Sequence, residues 1–280
     1  MLQLSLDGQC LHRNLKILKY KNMKVVIFAG GFGTRLMEET EARPKPMVEI
    51  GGKPILWHIL KMYEHYGYIE FVICLGYKAT LIKEYFYNYY LHNSDVTIEL
   101  ANNKIEVHLS ETETFKVTLI DTGLNTNTAG RLKQVEKYVN GETFMLTYGD
   151  GVADVNFSEL LDFHKSHGKL ATLTSVQVPG RFGNLEIGKN GQVDNFIEKP
   201  VGDGMWINGG FFVLEPGIFK YLEGEVTNVQ WEKEPLFEIA KDNQLAAYKH
   251  YGFWKCMDAL RDRIELEELW NSDKAKWKTW

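Results

Sequence analysis

Short apolar runs alternate with helix-like segments along most of this chain. Val25–Phe28 and Phe71–Leu75 are continuous apolar runs, which are typical of strands buried on both faces of a sheet. Between them, Pro54–Tyr66 places apolar residues at helical spacing, and Gly67 supplies a stop. This alternation predicts an α/β fold: a Rossmann-like mixed, mostly parallel sheet flanked by helices.

The same reading extends to the rest of the chain. Further helices are predicted at Thr80–Tyr90, Gly130–Val139, Phe157–His167, Glu234–Lys241 and Asp258–Trp270. Further strands are predicted at Phe144–Thr147, Ala171–Val178 and Trp206–Leu214. Leu185–Ile187 and Val193–Glu198 flank an Asn190-Gly191 turn and predict a hairpin. The pattern becomes mixed after about residue 168, so we expect an α+β C-terminal portion of one domain, residues 23–280.

Residues 1–22 have poor periodicity and lack a secretory pattern. We interpret them as an N-terminal extension outside the core, with a short surface helix at Leu11–Leu18 as the alternative. Cys10, Cys74 and Cys256 lie far apart in the sequence. This spacing excludes a zinc ribbon or a redox pair and favours a reducing compartment, so we expect a cytoplasmic protein.

The composition and net charge argue against two classes of function, nucleic-acid binding and membrane binding. Of 280 residues, 44% are hydrophobic and 25% are charged, which is ordinary for a globular protein. The net charge is −5, whereas a general binder of nucleic acid or anionic membranes would carry a basic excess. No run approaches the roughly 18 apolar residues of a membrane span. We therefore expect neither nucleic acid nor membrane as a partner.

A glycine-rich segment, Phe28-Ala29-Gly30-Gly31-Phe32-Gly33-Thr34-Arg35-Leu36, directly follows the first predicted strand. Glycines let a ligand approach backbone amides, which together bind anions, and ligands bind at this end of open α/β sheets. Thr34 and Arg35 add a hydroxyl and a bidentate donor for phosphate. The spacing matches neither the dinucleotide fingerprint nor the Walker phosphate loop. The alternative is a simple turn between strand and helix.

Two prolines enclose Lys45 in Arg43-Pro44-Lys45-Pro46-Met47. Each proline fixes its own φ and disfavours helix in the residue before it, which predicts a stiff, extended segment. Such a segment would hold one ammonium group toward a reacting phosphate. The alternative is a rigid loop with a solvated lysine.

Together, these two motifs resemble the signature of sugar-1-phosphate nucleotidylyltransferases, and the resemblance covers essentially residues 23–280. Within the family the chain is most similar to the branch that uses CTP and glucose 1-phosphate. Further matching segments are Glu38-Glu39-Thr40, Met47–Ile59, Asp121-Thr122-Gly123, Thr147–Asp154, Pro179–Gly183 and Trp277–Trp280. The resemblance implies a nucleotidyltransferase fold.

The resemblance also implies a site with Mg²⁺ as cofactor. Its metal ligands would be Asp150 and Asp258, for which the alternatives are a turn aspartate and a helix N-cap. The chain has Lys255-Cys256 where this branch usually has Gln-Pro. The implied nucleotide-binding residues are Phe28, Ala29, Gly30, Gly31, Phe32, Gly33, Thr34, Arg35, Lys45, Thr126, Arg131 and Gly149. The implied sugar-binding residues are Glu198, Lys199, Asn208 and Gly209.

Three residues have implied catalytic roles. Lys45 would neutralise developing charge, Arg35 would hold the departing pyrophosphate, and Lys199 would orient the attacking phosphate. For Glu198-Lys199 the alternative is a cross-paired strand end. At Asn208-Gly209-Gly210, glycines inside an apparent strand favour close approach of a ligand to the backbone.

The resemblance implies an enzyme that makes CDP-glucose and pyrophosphate for CDP-linked deoxysugar and surface polysaccharide (O-antigen) synthesis, and we expect a homo-oligomer. One alternative is the same reaction with UTP or dTTP. The other is a regulatory subunit that binds nucleotide sugar without turnover.

Overall fold

The computed structural model describes residues 22–102, 104–110, 113–178, 184–197 and 205–280. The strands are β1 (Lys24–Phe28), β2 (Glu49–Ile50), β3 (Lys53–Pro54), β4 (Glu70–Leu75), β5 (Ser94–Glu99), β6 (Lys104–Ser110), β7 (Lys116–Asp121), β8 (Phe144–Tyr148), β9 (Gly151–Ala153), β10 (Ala171–Val176), β11 (Asn184–Ile187), β12 (Val193–Ile197), β13 (Ile207–Asn208), β14 (Phe212–Leu214), β15 (Leu245–His250) and β16 (Trp254–Cys256). The predicted N-terminal extension lies almost entirely outside the described residues.

The helices of the described residues connect and cover these strands. They are α1 (Met37–Thr40), α2 (Ile55–His65), α3 (Ala79–Tyr87), α4 (Tyr89–His92), α5 (Thr128–Val139), α6 (Phe157–His167), α7 (Glu234–Lys241) and α8 (Leu260–Asn271). Short 3₁₀ segments occur at Thr34–Leu36, Lys45–Met47, Lys189–Gly191 and Pro216–Leu222. None of the helices in the described ranges is long and apolar enough to cross a bilayer.

The central sheet has the strand order β13-β10-β14-β8-β1-β4-β7, with β15 alongside β10. Strand β1 is parallel to both β4 and β8, and β4 is parallel to β7. Strand β14 joins β8 to β10 through antiparallel pairs. The predicted α/β class with a mostly parallel sheet and a mixed C-terminal portion is thus confirmed.

Strand β1 shows why its sequence is apolar without interruption. Val25 and Ile27 belong to one core cluster, which they share with apolar residues of α2. Val26 and Phe28 belong to a second cluster, which they share with apolar residues of α5. Both faces of the strand are therefore buried, and each fully buried aliphatic side chain contributes roughly 1.5–3 kcal/mol of transfer free energy. This double burial fixes the strand at the sheet centre and places the loop that follows it.

Two predicted elements are interrupted in the structure. The helix predicted at Thr80–Tyr90 is α3 and α4 with a break at Asn88, and Tyr87 is 89% exposed. The strand predicted at Trp206–Leu214 is β13 and β14, separated by Gly210 and Phe211 at positive φ. Asn208 Oδ1 accepts a hydrogen bond from Gly210 N at 2.9 Å. This local turn replaces the ladder hydrogen bonds of a continuous strand.

Other boundaries are close to the prediction. Helix α7 has the predicted bounds, and α2 begins one residue after Pro54, which is its N-cap. The hairpin is confirmed as an antiparallel β11–β12 pair around the Lys189–Gly191 segment.

Candidate active site

A cavity of about 390 Å³ opens at the carboxyl ends of β1 and β8. Because these parallel strands are neighbours, the loops that follow them meet, and Gly149 N donates to Phe28 O at 2.9 Å. The lining residues are Phe28, Ala29, Gly30, Gly31, Phe32, Gly33, Thr34, Arg35, Lys45, Pro46, Leu124, Asn125, Thr126, Asn127, Thr128, Arg131, Tyr148, Gly149, Asp150 and Asp258. The structure thus brings the predicted nucleotide-binding and metal-binding residues to one place.

The glycines of the loop after β1 occupy their positions for different structural reasons. A Cβ at Gly30 would overlap the Arg131 guanidinium, so this glycine is required by the protein's own packing. Gly33 has φ +66°, which favours glycine, and its Cβ would lie 2.9 Å from Thr40 Cγ2. Gly31 is open to solvent on the side where a Cβ would lie. Packing within the protein therefore accounts for glycine at Gly30 and does not account for it at Gly31, and ligand approach to this loop stays a prediction.

Arg131 lines the cavity and binds the glycine loop through a hydrogen bond to its backbone. It is only 4% exposed. Its guanidinium donates to Gly30 O at 3.0 Å, Leu75 O at 2.8 Å and Thr122 Oγ1 at 2.6 Å. These bonds tie the loop after β1 to the end of β4. Most of its hydrogen-bonding capacity is therefore used within the protein, and a nucleotide contact at this residue stays a prediction.

Lys45 lies in a 3₁₀ turn rather than in the extended segment that the sequence predicted. Pro44 is extended, with φ −68° and ψ 151°, and Pro46 is buried, so the turn is fixed at both ends. Met47 N donates to Pro44 O at 2.8 Å, which closes the turn. The two prolines therefore do position the lysine, but through a turn.

The Lys45 ammonium bridges the two predicted metal ligands. Its Nζ lies 2.6 Å from Asp150 Oδ2 and 2.8 Å from Asp258 Oδ1. The Lys45 side chain is 12% exposed and that of Asp258 is 45% exposed. Arg35, at the cavity rim, donates from Nη1 to Asp258 Oδ2 at 3.3 Å. Two cations, Lys45 at the floor and Arg35 at the rim, therefore converge with two carboxylates in the cavity.

The electrostatics of this cluster follow from its contacts. Burial opposes the charge on Lys45, but the neighbouring acidic groups, with Asp150 foremost, together outweigh it, and the pKa of Lys45 is raised. Burial acts against ionisation of Asp258 too, yet the hydrogen bond and charge of Lys45, together with the charge of Arg35 and a hydrogen bond from Cys256, lower the pKa of this carboxyl below its ordinary value. At neutral pH the ammonium and the Asp258 carboxylate are both charged.

Asp258 reaches the cavity through a small antiparallel sheet of β9 and β16. Met257 N donates to Asp150 O at 2.9 Å, so the two aspartates are held by adjacent backbone. The helix that follows is capped by Asp262, which accepts from Asp258 N at 3.1 Å and from Ala259 N at 2.8 Å. The alternative that Asp258 is the helix N-cap is therefore wrong, and its carboxylate faces the cluster instead.

The opposite wall of the cavity contains a hydrogen-bond network centred on Glu232. This carboxylate accepts from Tyr148 Oη and from Thr128 Oγ1, each at 2.7 Å. Thr128 in turn accepts from Trp231 N at 2.8 Å. Tyr148 and Thr128 both line the cavity, so Glu232 fixes the orientation of two lining side chains. The sequence analysis missed Glu232, because no local motif surrounds it and Tyr148 lies 84 residues away.

The predicted sugar-binding residues are only partly placed. Asn208 Nδ2 lies 3.5 Å from Tyr148 Oη, beside the cavity wall. A Cβ at Gly209 would lie 2.9 Å from Val176 Cγ1, and one at Gly210 would lie 3.0 Å from the Tyr148 ring. The close approach expected at these glycines is therefore made by the protein's own side chains. Glu198 and Lys199 lie outside the described residues.

Among the described residues, a group of three side chains, two of which line the cavity, could hold a metal ion. One ligand atom each from Asp150, Cys256 and Asp258 lie within 4.8 Å of one another. Two carboxylates suit a divalent cation, because hard cations take carboxylate oxygens as ligands. The residues therefore fit the implied Mg²⁺, and Cys256 is a neighbour that the sequence analysis did not assign.

Residues 24–262 match the nucleotidyl transferase family. The glucose-1-phosphate cytidylyltransferase of Salmonella typhimurium is 57% identical over 259 residues, covering 92% of this chain and 100% of the relative. The probable glucose-1-phosphate cytidylyltransferase of Bacillus subtilis is 45% identical over 258 residues, covering 92% and 100%.

Solved structures show the same fold. HddC from Yersinia pseudotuberculosis has a TM-score of 0.63 at 24% identity and covers 89% of this chain and 99% of its own. A UDP-glucose pyrophosphorylase complexed with UDP-glucose has a TM-score of 0.63 at 16% identity, covering 90% and 99%.

Proposed function

The chain belongs to the nucleotidyl transferase family, and on that premise we propose that it transfers the cytidylyl group of CTP to glucose 1-phosphate. The products are CDP-glucose and pyrophosphate. Relatives named glucose-1-phosphate cytidylyltransferase match 92% of this chain. The observation that carries the proposal is the convergence of the glycine loop, the Lys45 ammonium and two carboxylates in one cavity.

The attacking group needs no general base. A sugar phosphate has a second pKa near 6 and is a dianion at neutral pH. Catalysis then consists of positioning the two substrates and neutralising charge during in-line attack on the α-phosphorus. The site supplies both, because its donors and carboxylates are held by short turns and a small sheet.

Each charged residue has a separate role. Lys45 stabilises charge on the phosphate groups, since its ammonium is held at the cavity floor. Arg35 binds the departing pyrophosphate from the rim, where its side chain is 79% exposed and held by a single ion pair. Lys199 orients the attacking phosphate. The glycine loop binds the nucleotide phosphates through backbone amides.

Asp150 and Asp258 would hold the magnesium ion. When bound, Mg²⁺ would supply positive charge that neutralises charge developing on the phosphate groups. The carboxylates are set for this role by the Met257 N to Asp150 O hydrogen bond and by the cap at Asp262, which fix the backbone at both aspartates.

Thr126 and the loop that contains it contact the base. Cytosine carries an amino donor where uracil carries a carbonyl acceptor. A site that accepts a hydrogen bond from the cytosine amino group therefore has an unpaired acceptor when uracil is bound. Such a mismatch costs roughly 1–3 kcal/mol, or about tenfold to a hundredfold in kcat/KM. We further propose a cytoplasmic homo-oligomer that serves CDP-linked deoxysugar and O-antigen synthesis.

The experiment measures pyrophosphate release from CTP, UTP, GTP, ATP and dTTP, each with glucose 1-phosphate and Mg²⁺. We expect CTP to have the highest kcat/KM, with UTP at least about tenfold lower. Thr126→Ala should reduce this preference, while Thr97→Ala, on the β5–β6 hairpin, should leave it unchanged. Equal use of CTP and UTP would refute the cytidylyl assignment. Absence of pyrophosphate with every nucleotide would refute the transferase and favour the regulatory alternative.

A further inference from the structure

Cys256 lies beside the two proposed metal ligands, Asp150 and Asp258, which line the cavity. Its sulfur and one oxygen each from Asp150 and Asp258 lie within 4.8 Å of one another. The thiol is one of the free cysteines of the described residues, and it is partly buried. None of the roles proposed above uses it.

The backbone around Cys256 fixes this position. Cys256 pairs with Gly151 in the β9–β16 sheet, directly next to Asp150. Met257 N donates to Asp150 O at 2.9 Å, and Asp258 begins the segment capped by Asp262. The sulfur and the two carboxylates are thus carried by one small, hydrogen-bonded unit. Their proximity does not depend on a long flexible side chain.

The donor set is unusual for a magnesium site. Mg²⁺ takes oxygen ligands and keeps several waters, so it gains nothing from sulfur. Zn²⁺, Co²⁺ and Cd²⁺ bind thiolates strongly, because these ions are softer. Two carboxylates plus one sulfur provide three protein ligands, which is the number that leaves a fourth position open in tetrahedral zinc sites.

We propose that Asp150, Cys256 and Asp258 form a binding site for thiophilic divalent cations, in which Cys256 is the third protein ligand. Formation of the metal–sulfur bond releases the thiol proton to solvent. A thiophilic ion therefore competes with Mg²⁺ for the same two carboxylates and with Lys45, whose ammonium contacts both. Mg²⁺ uses the carboxylates alone.

This inference rests on the proposed function only for the two carboxylate ligands. It adds a preference of the metal site for thiophilic ions, which the proposed reaction does not require. The experiment below therefore separates loss of the sulfur ligand from loss of the metal site.

The test titrates tag-free protein with Co²⁺ and follows the near-ultraviolet thiolate-to-cobalt charge-transfer band. We expect the band in the parent and its loss in both Cys256→Ser and Cys256→Ala. Cys74→Ala, which removes a fully buried thiol in β4, is the matched control and should keep the band. Circular dichroism checks that each variant is folded. The serine variant retains the size of the side chain and keeps the test valid if the alanine variant fails to fold.

Calorimetry provides the second readout. We expect the dissociation constant for Cd²⁺ to rise at least about tenfold in Cys256→Ser, since loss of even an indirect metal contact commonly costs 10–100-fold. The dissociation constant for Mg²⁺ should stay within about twofold of the parent value. Excess Mg²⁺ should displace Co²⁺ more easily from the variant than from the parent.

Specific outcomes would overturn the proposal. A charge-transfer band that persists in Cys256→Ser would assign the sulfur ligand to another cysteine. Equal Cd²⁺ affinities in parent and variant would show that Cys256 is not a ligand. If either of these results is found while Mg²⁺ still binds to the parent protein and supports its turnover, this inference fails and the proposed function stands. If no divalent ion binds to the parent, the metal site of the proposed function fails as well.

Discussion

Asp258 and Asp262 are four residues apart, and the structure gives them different roles: Asp258 faces the cavity, and Asp262 caps the helix. Asp258→Asn and Asp262→Ala should therefore separate activity from stability. Asp258 is nearly half exposed and contacts two side chains, Lys45 at 2.8 Å and Arg35 at 3.3 Å. The exposed pair with Arg35 contributes about 0.2–1 kcal/mol. The less exposed Lys45 keeps its ion pair with Asp150, and an amide at position 258 still accepts a hydrogen bond. We expect the Tm of Asp258→Asn to stay within about 2 °C of the parent value.

Asp262→Ala should act on the fold instead. Asp262 is 8% exposed, and its side chain accepts two backbone hydrogen bonds at the start of α8. Loss of such a cap costs about 0.5–2 kcal/mol. Its ion-pair partner Lys255 keeps Glu265 at 2.6 Å, so little is added to that cost. For a chain of this size each kcal/mol lowers Tm by about 2–4 °C, so we expect Tm to fall by about 1–8 °C.

The assays are differential scanning calorimetry and pyrophosphate release at several Mg²⁺ concentrations. Asp258→Asn should lose at least about a hundredfold in magnesium-dependent turnover, because amide oxygens are weaker ligands for Mg²⁺ than carboxylates. Asp262→Ala should keep turnover within about tenfold. A large fall in Tm for Asp258→Asn, together with an unchanged Tm for Asp262→Ala, would refute this assignment and restore Asp258 as the cap.

Two further predictions address the neighbouring cations. Lys45→Ala should lower kcat by about 10²–10³ while the protein stays folded, since the lost ammonium neutralises charge at the cavity floor. Lys53→Ala is the control. Near-normal turnover of Lys45→Ala would remove Lys45 from the catalytic set. Arg131→Lys should reduce the free energy of unfolding in urea by about 2–3 kcal/mol, because a lysine cannot reproduce three guanidinium contacts. An unchanged urea midpoint would show that these contacts do not support the glycine loop.

The sequence predicted those parts of the fold that depend on local periodicity. Strands β1 and β4 are apolar throughout because both faces of the sheet are covered, and this pattern is visible in a single segment. The break between β13 and β14 was missed because it depends on an Asn208 side chain that bonds to its own backbone. An apolar run does not reveal whether such a turn competes with the ladder.

The candidate site was predicted where a motif is contiguous. The glycine loop and Lys45 each lie within one short segment, and both line the cavity. Asp258 came from the family resemblance rather than from spacing, because it lies 108 residues beyond its partner Asp150. Glu232 and Cys256 carry no local signal at all. Their positions follow from chain segments that meet only after the sheet has formed.

The charge balance at the cavity floor indicates what must change when substrates bind. Lys45 and Arg35 supply two positive charges, and Asp150 and Asp258 supply two negative charges, so the described cluster is formally neutral. A nucleoside triphosphate and a sugar phosphate both bring negative charge toward these carboxylates. Mutual repulsion would then oppose binding unless further positive charge enters with the substrates. A divalent cation on the carboxylates supplies that charge and frees Lys45 and Arg35 to contact phosphate oxygens. We therefore expect the four ion-paired side chains to exchange partners on binding, with the ammonium turning from carboxylate to phosphate.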